Sequence, residues 1–261
     1  MDVRTQELTR YIVPMREGGS LPVLGEADDG FKYVVKLRGA GHGKKALIAE
    51  FLGSMIAKAF KFNVPETVLL NLPGVFGITE PDQEVQELMR NSEGLNVGLH
   101  YLAGAATFDP AVNTVDPLTA SKIVWLDAFL TNVDRTRLNP NMMIWNNELW
   151  LIDNGASFYF HHAWRDPAKA ALDPFPYIKN HVFLGQAARL EEADRLMRQA
   201  ITPRTLSKIV GQIPDEWLDE ENSDVTPGER RRGYETFLLD RLKNSRIFVD
   251  EAIKQQKLSG L

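Results

Sequence analysis

A short β-hairpin in the middle of the chain most constrains how this sequence can fold. Met142–Trp145 and Leu149–Ile152 are apolar segments of strand length, and Asn146-Asn147 lies between them as the turn. Asparagine tolerates the positive φ angles that a two-residue hairpin turn requires. Apolar helical spacing precedes the hairpin over residues 118–130, and mostly helical sequence follows it. The hairpin therefore interrupts a helical region.

The first third of the chain has the opposite character, because strand-like segments alternate there with turn residues. Strands are predicted at residues 7–14, 20–24, 31–37, 66–72 and 95–102, with helices at 44–60 and 81–90. The first three strands resemble an antiparallel meander. The helix over 44–60 is predicted from apolar residues that recur at helical spacing.

A segment of small, turn-forming residues at 104–117 separates the two patterns, and we place a lobe boundary between residues 103 and 104. Further helices are predicted at 182–200, 203–211 and 227–256. The fold class is α+β, with a strand-rich N-lobe over 1–103 and a mainly helical C-lobe over 104–261. Two unlike lobes of this kind predict a cleft between them.

Composition excludes several classes of protein. The chain has 261 residues, 44% of them hydrophobic, which is enough for a sizeable core, and it has no cysteine for disulfides or thiolate metal sites. Its net charge of −5 makes nucleic acid an unlikely main partner. No apolar run approaches the roughly 20 residues of a membrane span, so we expect a cytoplasmic protein without a membrane anchor.

Polar residues around the hairpin carry the chemistry. Asp134 opens the loop after the helix, Asn139 and Asn141 end that loop before the first strand, and Asp153 ends the second strand. Phosphoryl transfer needs an aspartate that accepts the proton of the attacking hydroxyl, and oxygen ligands that hold Mg²⁺ on nucleotide phosphates. Each aspartate alone is more simply interpreted as part of an ordinary turn, but the joint spacing favours the chemical interpretation.

A second pair of residues points to the same chemistry. Lys36 lies inside an apolar strand, and Glu50 lies in the following helix beside Gly53, Ser54 and Ala57. Small residues at these positions let a helix approach its neighbour closely. In kinases a strand lysine held by a helix glutamate grips phosphates. The alternative is that both side chains simply face solvent.

These segments resemble a known family. LDAFLTNVDRTRLNPNMMIW followed by LWLIDNGASF is similar to the HipA-like family of bacterial kinases, in particular its short single-domain members. FKYVVKLRGAGHGKKALIAEFLG resembles that family's nucleotide-binding strand and the helix after it. The likeness covers roughly residues 7–160, and the same skeleton is distantly similar to phosphatidylinositol kinases. It implies a two-lobed, protein-kinase-like fold that uses ATP and Mg²⁺.

The resemblance also implies roles for individual residues. Lys36 would contact the nucleotide phosphates with Glu50 as its ion-pair partner, Asp134 would be the catalytic base, and Asp153 would coordinate Mg²⁺. The second metal ligand stays open, because Asn139 lies five residues after the catalytic aspartate whereas Asn141 directly precedes the strand. Other positions implied in nucleotide binding are Gly18, Gly19 and Ser20 in a covering loop, and His100, Tyr101 and Leu102 in the hinge near the adenine.

The acceptor implied by the resemblance is a protein serine or threonine, with a lipid or small-molecule alcohol as the alternative. A third interpretation is an inactive nucleotide-binding interaction module. Full-length HipA toxins have an additional N-terminal region that this sequence does not match, so a toxin role and an antitoxin partner stay open.

Gly39–Lys45 departs from a Walker A motif at both ends, although a glycine-rich loop before a helix can hold an anion.

Overall fold

This computed structural model of the protein describes residues 2–15, 21–74, 76, 80–164, 166–220 and 223–260. The N-terminal elements are β1 (Thr5–Pro14), β2 (Val23–Ala27), β3 (Lys32–Lys36), α1 (Lys44–Ala59), β4 (Thr67–Leu72), α2 (Gln83–Arg90) and β5 (Gly94–His100). The following elements are β6 (Ala106–Thr107), α3 (Pro117–Leu130), β7 (Met142–Trp145) and β8 (Glu148–Leu151). The later helices are α4 (Pro167–Ala171), α5 (Leu190–Ala200), α6 (Pro203–Val210), α7 (Asp215–Leu218), α8 (Pro227–Lys243) and α9 (Arg246–Leu258).

The first five strands form a closed barrel in the order β1-β2-β3-β5-β4. The antiparallel meander predicted for β1, β2 and β3 is confirmed. The sequence did not predict the closure, in which β1 also pairs in parallel with β4, with Thr5 opposite Leu69. That pairing joins segments more than 60 residues apart, so local sequence patterns carry no signal for it. Barrel side chains including Tyr33, Val35 and Leu70 form a separate buried core.

Helix α1 lies between the barrel and the helical part of the molecule. It contacts β4 and β5 on one side and α6 and α7 on the other, and its residues from Leu47 to Ala57 are buried. Phe60, just after the helix, makes edge contacts with Trp125 and Phe129 of α3. Both rings of α3 are buried in the main hydrophobic core. Helix α1 therefore packs against both the barrel and the helical part of the molecule.

A second, three-stranded sheet has the order β6-β7-β8. Asn146 and Asn147 have φ angles of 50° and 60°, which confirms the predicted hairpin turn between β7 and β8. Residues just after position 104 join this sheet as β6. The boundary between residues 103 and 104 itself stays a prediction.

Two predicted helices have different bounds. The helix predicted over 227–256 is two helices, because Asn244 bonds its side-chain amide to the Asp240 carbonyl and Ser245 turns its hydroxyl to the buried Asp194. The helix predicted from residue 182 begins at Leu190, since a 3₁₀ turn at Leu184–Gln186 precedes it. The strand predicted over 95–102 ends at His100.

None of the helices in the described part of the chain is both long and apolar enough to cross a membrane.

Candidate active site

Lys36 ends β3 with its ammonium group between two carboxylates. Its Nζ lies 2.8 Å from Oδ2 of Asp153 and 3.8 Å from Oε2 of Glu50. Burial alone would lower the pKa of Lys36, but the two carboxylates outweigh burial and raise the pKa above its ordinary value. The lysine is therefore held charged at neutral pH. The predicted pair with Glu50 is present, and the shorter contact is to Asp153.

Glu50 is almost completely buried on α1, with 1% of its surface exposed. The Ser54 hydroxyl donates to Oε1 at 3.1 Å, and the backbone N–H of Asn154 donates to Oε2 at 3.1 Å. Burial raises the pKa of Glu50 even though the Lys36 ammonium opposes the shift. The charge on this carboxylate is thus only partly compensated by its neighbours.

The helix reaches the loop after β8 through a glycine. A Cβ atom placed on Gly53 would lie 2.4 Å from Cβ of Asn154, a distance that real Cβ contacts do not show. The close approach predicted from the small residues beside Glu50 is therefore confirmed at Gly53. A larger residue would separate α1 from the loop that carries Asp153.

Asp153 follows β8 in a left-handed backbone conformation, with φ of 53°. Its side chain is 38% exposed, although Oδ2 contacts Lys36 and Oδ1 accepts from the Gly155 N–H at 3.4 Å. Burial opposes ionisation, but the Lys36 ammonium outweighs it and lowers the pKa of Asp153. The result is an ionised carboxylate that remains accessible to solvent.

Asp134 lies in the loop between α3 and β7, where two asparagines hold it. Its Oδ2 accepts from Nδ2 of Asn139 at 2.7 Å and from Nδ2 of Asn141 at 3.2 Å, and its backbone N–H donates to Oδ1 of Asn132 at 3.0 Å. All of the described side-chain contacts to this carboxylate are on Oδ2. Asp134 is half-buried, and its Oδ1 has no side-chain contact among the described residues.

The two candidate asparagines differ in where their backbones lie. Asn139 is exposed in the loop, whereas Asn141 is 9% exposed and adopts φ of 49° directly before β7. The Asn141 carbonyl accepts from the Ile152 N–H at 3.0 Å. The hairpin register therefore places Asn141 beside the end of β8, next to Asp153.

A buried ionic network missed by sequence analysis supports this loop. Arg135 donates through Nε to Oδ2 of Asp127 at 2.6 Å, and the same oxygen lies 2.8 Å from Nε2 of His181. Arg135 also donates to the carbonyls of Asn141 and Ile152. Burial would raise the pKa of Asp127, but Arg135 and His181 outweigh it and lower the pKa. A lone aspartate in the apolar sequence of α3 was the available signal, because a buried carboxylate requires partners.

The structure describes some of the predicted nucleotide-binding residues and not others. Gly18, Gly19 and Ser20 lie outside the described residues. His100 ends β5 opposite Tyr33, and Tyr101 donates its backbone N–H to the Lys32 carbonyl. His100 and Leu102 line a cavity of about 270 Å³ together with Phe31, Lys58, Val64, Glu66, Trp145 and Trp150. That lining does not include Lys36 or Asp153, so the hinge role stays a prediction.

A histidine cluster lies where α1 begins. His161 is buried and its Nδ1 lies 2.9 Å from the Tyr234 hydroxyl. The His162 ring lies 4.5 Å from the His161 ring and 4.8 Å from the His42 ring, measured between centroids. Burial, followed by the charges of His162, Lys45 and His42, lowers the pKa of His161 well below its ordinary value. His161 is thus a neutral core residue at pH 7.

The donor chemistry at the hairpin edge fits magnesium. Asp153 and Asn141 offer carboxylate and amide oxygens, which Mg²⁺ prefers. Within the described residues, no three histidine or acidic side chains are grouped so as to hold a metal ion. Mg²⁺ in nucleotide enzymes is commonly bound by one or two carboxylates together with phosphates and waters, so a set of this size suits it.

Comparisons with known proteins show the family and the fold of the chain. The model of a family described as HipA-like kinase matches residues 8–248. The crystal structure of a Helicobacter pylori proinflammatory kinase, CtkA, is 12% identical, with a TM-score of 0.56 and coverage of 100% of this chain and 99% of that chain. The crystal structure of the Golgi casein kinase with Mn/ADP bound is 12% identical, with a TM-score of 0.54 and coverage of 97% and 75%. No curated protein matches the chain. The two structures share its two-lobed, kinase-like α+β fold.

Proposed function

The chain belongs to the HipA-like kinase family, and on that premise we propose that this phosphotransferase uses Mg²⁺ and ATP to phosphorylate a serine or threonine hydroxyl of a protein. The observation that carries the proposal is the position of Lys36 between Asp153 and Glu50, at the end of the hairpin whose other strand begins beside Asp134. A cation for phosphates, an oxygen site for a metal and a proton acceptor therefore lie along one edge.

Each side chain has a defined task in this proposal. Lys36 exchanges part of its contact with Asp153 for phosphate oxygens, while Glu50 keeps the ammonium in place. Asp153 and Asn141 would hold Mg²⁺, which when bound neutralises charge on the phosphate oxygens. Asp134 accepts the proton of the acceptor hydroxyl on Oδ1, because Asn139 and Asn141 already donate to Oδ2.

Two considerations support a protein acceptor. The Golgi casein kinase, whose fold this chain shares, is named for a protein acceptor. The net charge of −5 disfavours a substrate that is embedded in an anionic membrane surface. We therefore assign a protein hydroxyl, and a lipid or small-molecule acceptor becomes an outcome of the acceptor assay.

The first experiment is a thermal-shift titration with ATP, with and without Mg²⁺, on the wild-type chain and Asp153→Ala. We expect stabilisation of about 2.7 kcal/mol when Mg-ATP reaches roughly 100 times its Kd, and its loss in the variant. Absence of any shift at millimolar Mg-ATP would contradict the proposed site.

The second experiment separates binding from transfer. Asp134→Asn should leave the Mg-ATP shift in place and lower phosphoryl transfer to protein by roughly 10²–10⁴-fold, because it removes only the proton acceptor. Transfer is measured with radiolabelled ATP on a proteome extract, beside lipid and small-alcohol acceptors. Wild-type binding without transfer to any acceptor class would favour a nucleotide-binding module over an enzyme.

A further inference from the structure

Asn154, the residue after the candidate metal ligand, is completely buried between α1 and the loop of the candidate base. Its backbone N–H donates to Oε2 of Glu50 at 3.1 Å, and its side-chain Nδ2 donates to Oγ of Ser54 at 3.2 Å. Both acceptors lie on α1. One asparagine thus makes two hydrogen bonds to the helix that holds Lys36.

The other end of the same amide faces the opposite direction. Oδ1 of Asn154 accepts from Nη2 of Arg135 at 3.2 Å. Arg135 directly follows Asp134 in sequence, and its guanidinium also binds the carbonyls of Asn141 and Ile152. These two carbonyls belong to the loop end and strand end that carry the candidate metal ligands. The amide of Asn154 therefore joins α1 to the element that positions both Asp134 and Asp153.

We propose that Asn154 is a positioning residue that couples α1 to the loop of Asp134, so that the phosphate-binding lysine and the proton acceptor are aligned together. This inference rests on the proposed function for its catalytic consequence, but the coupling itself is a property of the fold. The amide suits the task because it carries a donor and an acceptor on one short, planar group. An aspartate would add a charge beside Glu50, and a leucine would remove one hydrogen bond from Arg135 and one from Ser54.

Gly53 makes this coupling rigid, because glycine has no side chain to separate α1 from Asn154. Because α1 contacts the Asn154 side chain directly through Gly53, neither element can shift along the other without losing the hydrogen bonds to Ser54 and Glu50. Packed elements of this kind move as units rather than deforming continuously. A displacement of α1 is thus transmitted to Arg135 and from there to the base.

The kinetic test compares Asn154→Ala with Ser54→Ala. Asn154→Ala removes the side-chain hydrogen bonds to Ser54 and Arg135 and keeps the backbone bond to Glu50. KM for Mg-ATP should rise and kcat should fall, with kcat/KM reduced on the order of 10²-fold. Ser54→Ala removes one hydrogen bond on the α1 side only, and it should raise KM with little change in kcat. The two variants combined should be less than additive, because they share one hydrogen bond.

Asn96→Ala is the matched control for burial and lost hydrogen bonds. Asn96 is completely buried in β5, where its amide donates to the carbonyls of Ser92 and Gly94 and accepts from the Arg38 N–H. It should lower the melting temperature by an amount similar to Asn154→Ala while leaving KM and kcat unchanged. An equal change in KM and kcat in this control would reduce Asn154 to a general stability residue and overturn the proposal.

A second readout does not depend on catalysis. Amide hydrogen exchange is measured on the full chain without nucleotide, over residues 47–57 of α1 and 132–141 of the loop. We expect Asn154→Ala to accelerate exchange in both segments together, whereas Asn96→Ala leaves both unchanged. Acceleration in one segment alone would refute the coupling, even if the enzyme were active. Should Asn154→Ala not fold, Ser54→Ala removes the same link from the α1 side, and it should accelerate exchange in both segments by a smaller amount. Acceleration in α1 alone would then refute the coupling, and an inactive wild type would count against the proposed function only.

Discussion

Two groups of charged residues lie side by side in this molecule and are built on different plans. The open cluster consists of Lys36, Glu50 and Asp153, and the sealed cluster consists of Asp127, Arg135 and His181. In the open cluster one ammonium is shared by two carboxylates, and the pKa of Glu50 is raised by burial while the pKa of Asp153 is lowered by Lys36. The carboxylates are therefore compensated unequally, and Asp153 remains accessible.

The sealed cluster leaves nothing uncompensated. Both oxygens of Asp127 accept hydrogen bonds, Oδ1 from Asn132 at 3.1 Å and Oδ2 from Arg135 and His181. His181 also accepts the Phe183 N–H on Nδ1, which leaves the proton on Nε2 for Asp127. The difference teaches that charge alone does not identify a site. A cluster that can exchange partners binds ligands, whereas a cluster with every position occupied fixes the backbone.

The largest expected effect is a break in the sealed cluster. Asp127→Ala leaves the buried Arg135 without its counter-charge, and we expect a loss of about 3–5 kcal/mol in the free energy of unfolding. The matched change in the open cluster, Asp153→Ala, should cost at most about 1 kcal/mol, because Lys36 keeps Glu50 and Asp153 is partly exposed. Denaturant unfolding of both variants measures the difference. Equal losses would show that the two clusters are not distinct in kind.

A smaller effect tests which asparagine completes the open cluster. Asn141→Ala should raise the Mg²⁺ concentration needed for half-maximal ATP stabilisation by roughly 10–100-fold, since it removes an oxygen beside Asp153. Asn139→Ala should slow transfer but leave the Mg²⁺ dependence as in the wild type, because among the described residues its side-chain amide bonds to Asp134. If Asn139→Ala shifts the Mg²⁺ titration instead, the assignment of the ligand is reversed.

The smallest expected effect is on the pH dependence of stability, and it comes from His161, which is buried without a counter-charge. Its pKa is lowered in the folded state, so the unfolded chain binds the proton more readily than the native chain below pH 6.5. The stabilising contribution of neutral His161 is therefore complete above pH 6.5 and is lost as the pH falls, by at most about 1.4 kcal/mol per pH unit.

His161→Gln removes this titration, and its free energy of unfolding should depend less on pH between 7.5 and 5 than that of the wild type. His162→Gln is the matched control, because the His162 side chain is exposed and a smaller change in slope is expected. A wild-type slope retained in His161→Gln would place the titration elsewhere.

Sequence patterns predicted the parts of the site that depend on local spacing. Turn chemistry predicted the hairpin at Asn146-Asn147, and helical spacing placed Glu50 beside Gly53. The structure brings Glu50, Lys36 and Asp153 together. The spacing rules for Asn139 and Asn141 disagreed, and hairpin register distinguishes them only because Asn141 pairs with Ile152. The catalytic roles of these residues stay predictions.

Contacts between distant segments could not be predicted in this way. Asp127 and His181 are 54 residues apart, and nothing local to either residue selects the other. The same reason applies to the break at Asn244, where Ser245 binds Asp194 of an earlier helix. Arg135 is almost completely buried, whereas an arginine beside an aspartate in a polar loop is usually exposed. Its burial follows from three segments that meet only in the folded chain.

The closed barrel has a consequence for how this protein can associate with others. Each of its five strands has a neighbour on both sides, although in the described residues β1 pairs with β4 over residues 5–7 alone. In the smaller sheet, Asn63 occupies the outer side of β8, accepting from the Leu151 N–H and donating to the Leu149 carbonyl. Unpaired strand edges are common starting points for aggregation and for strand addition by partners. Where the barrel strands are paired on both sides, a partner must therefore recognise side chains, and strand addition is confined to the part of β1 beyond residue 7.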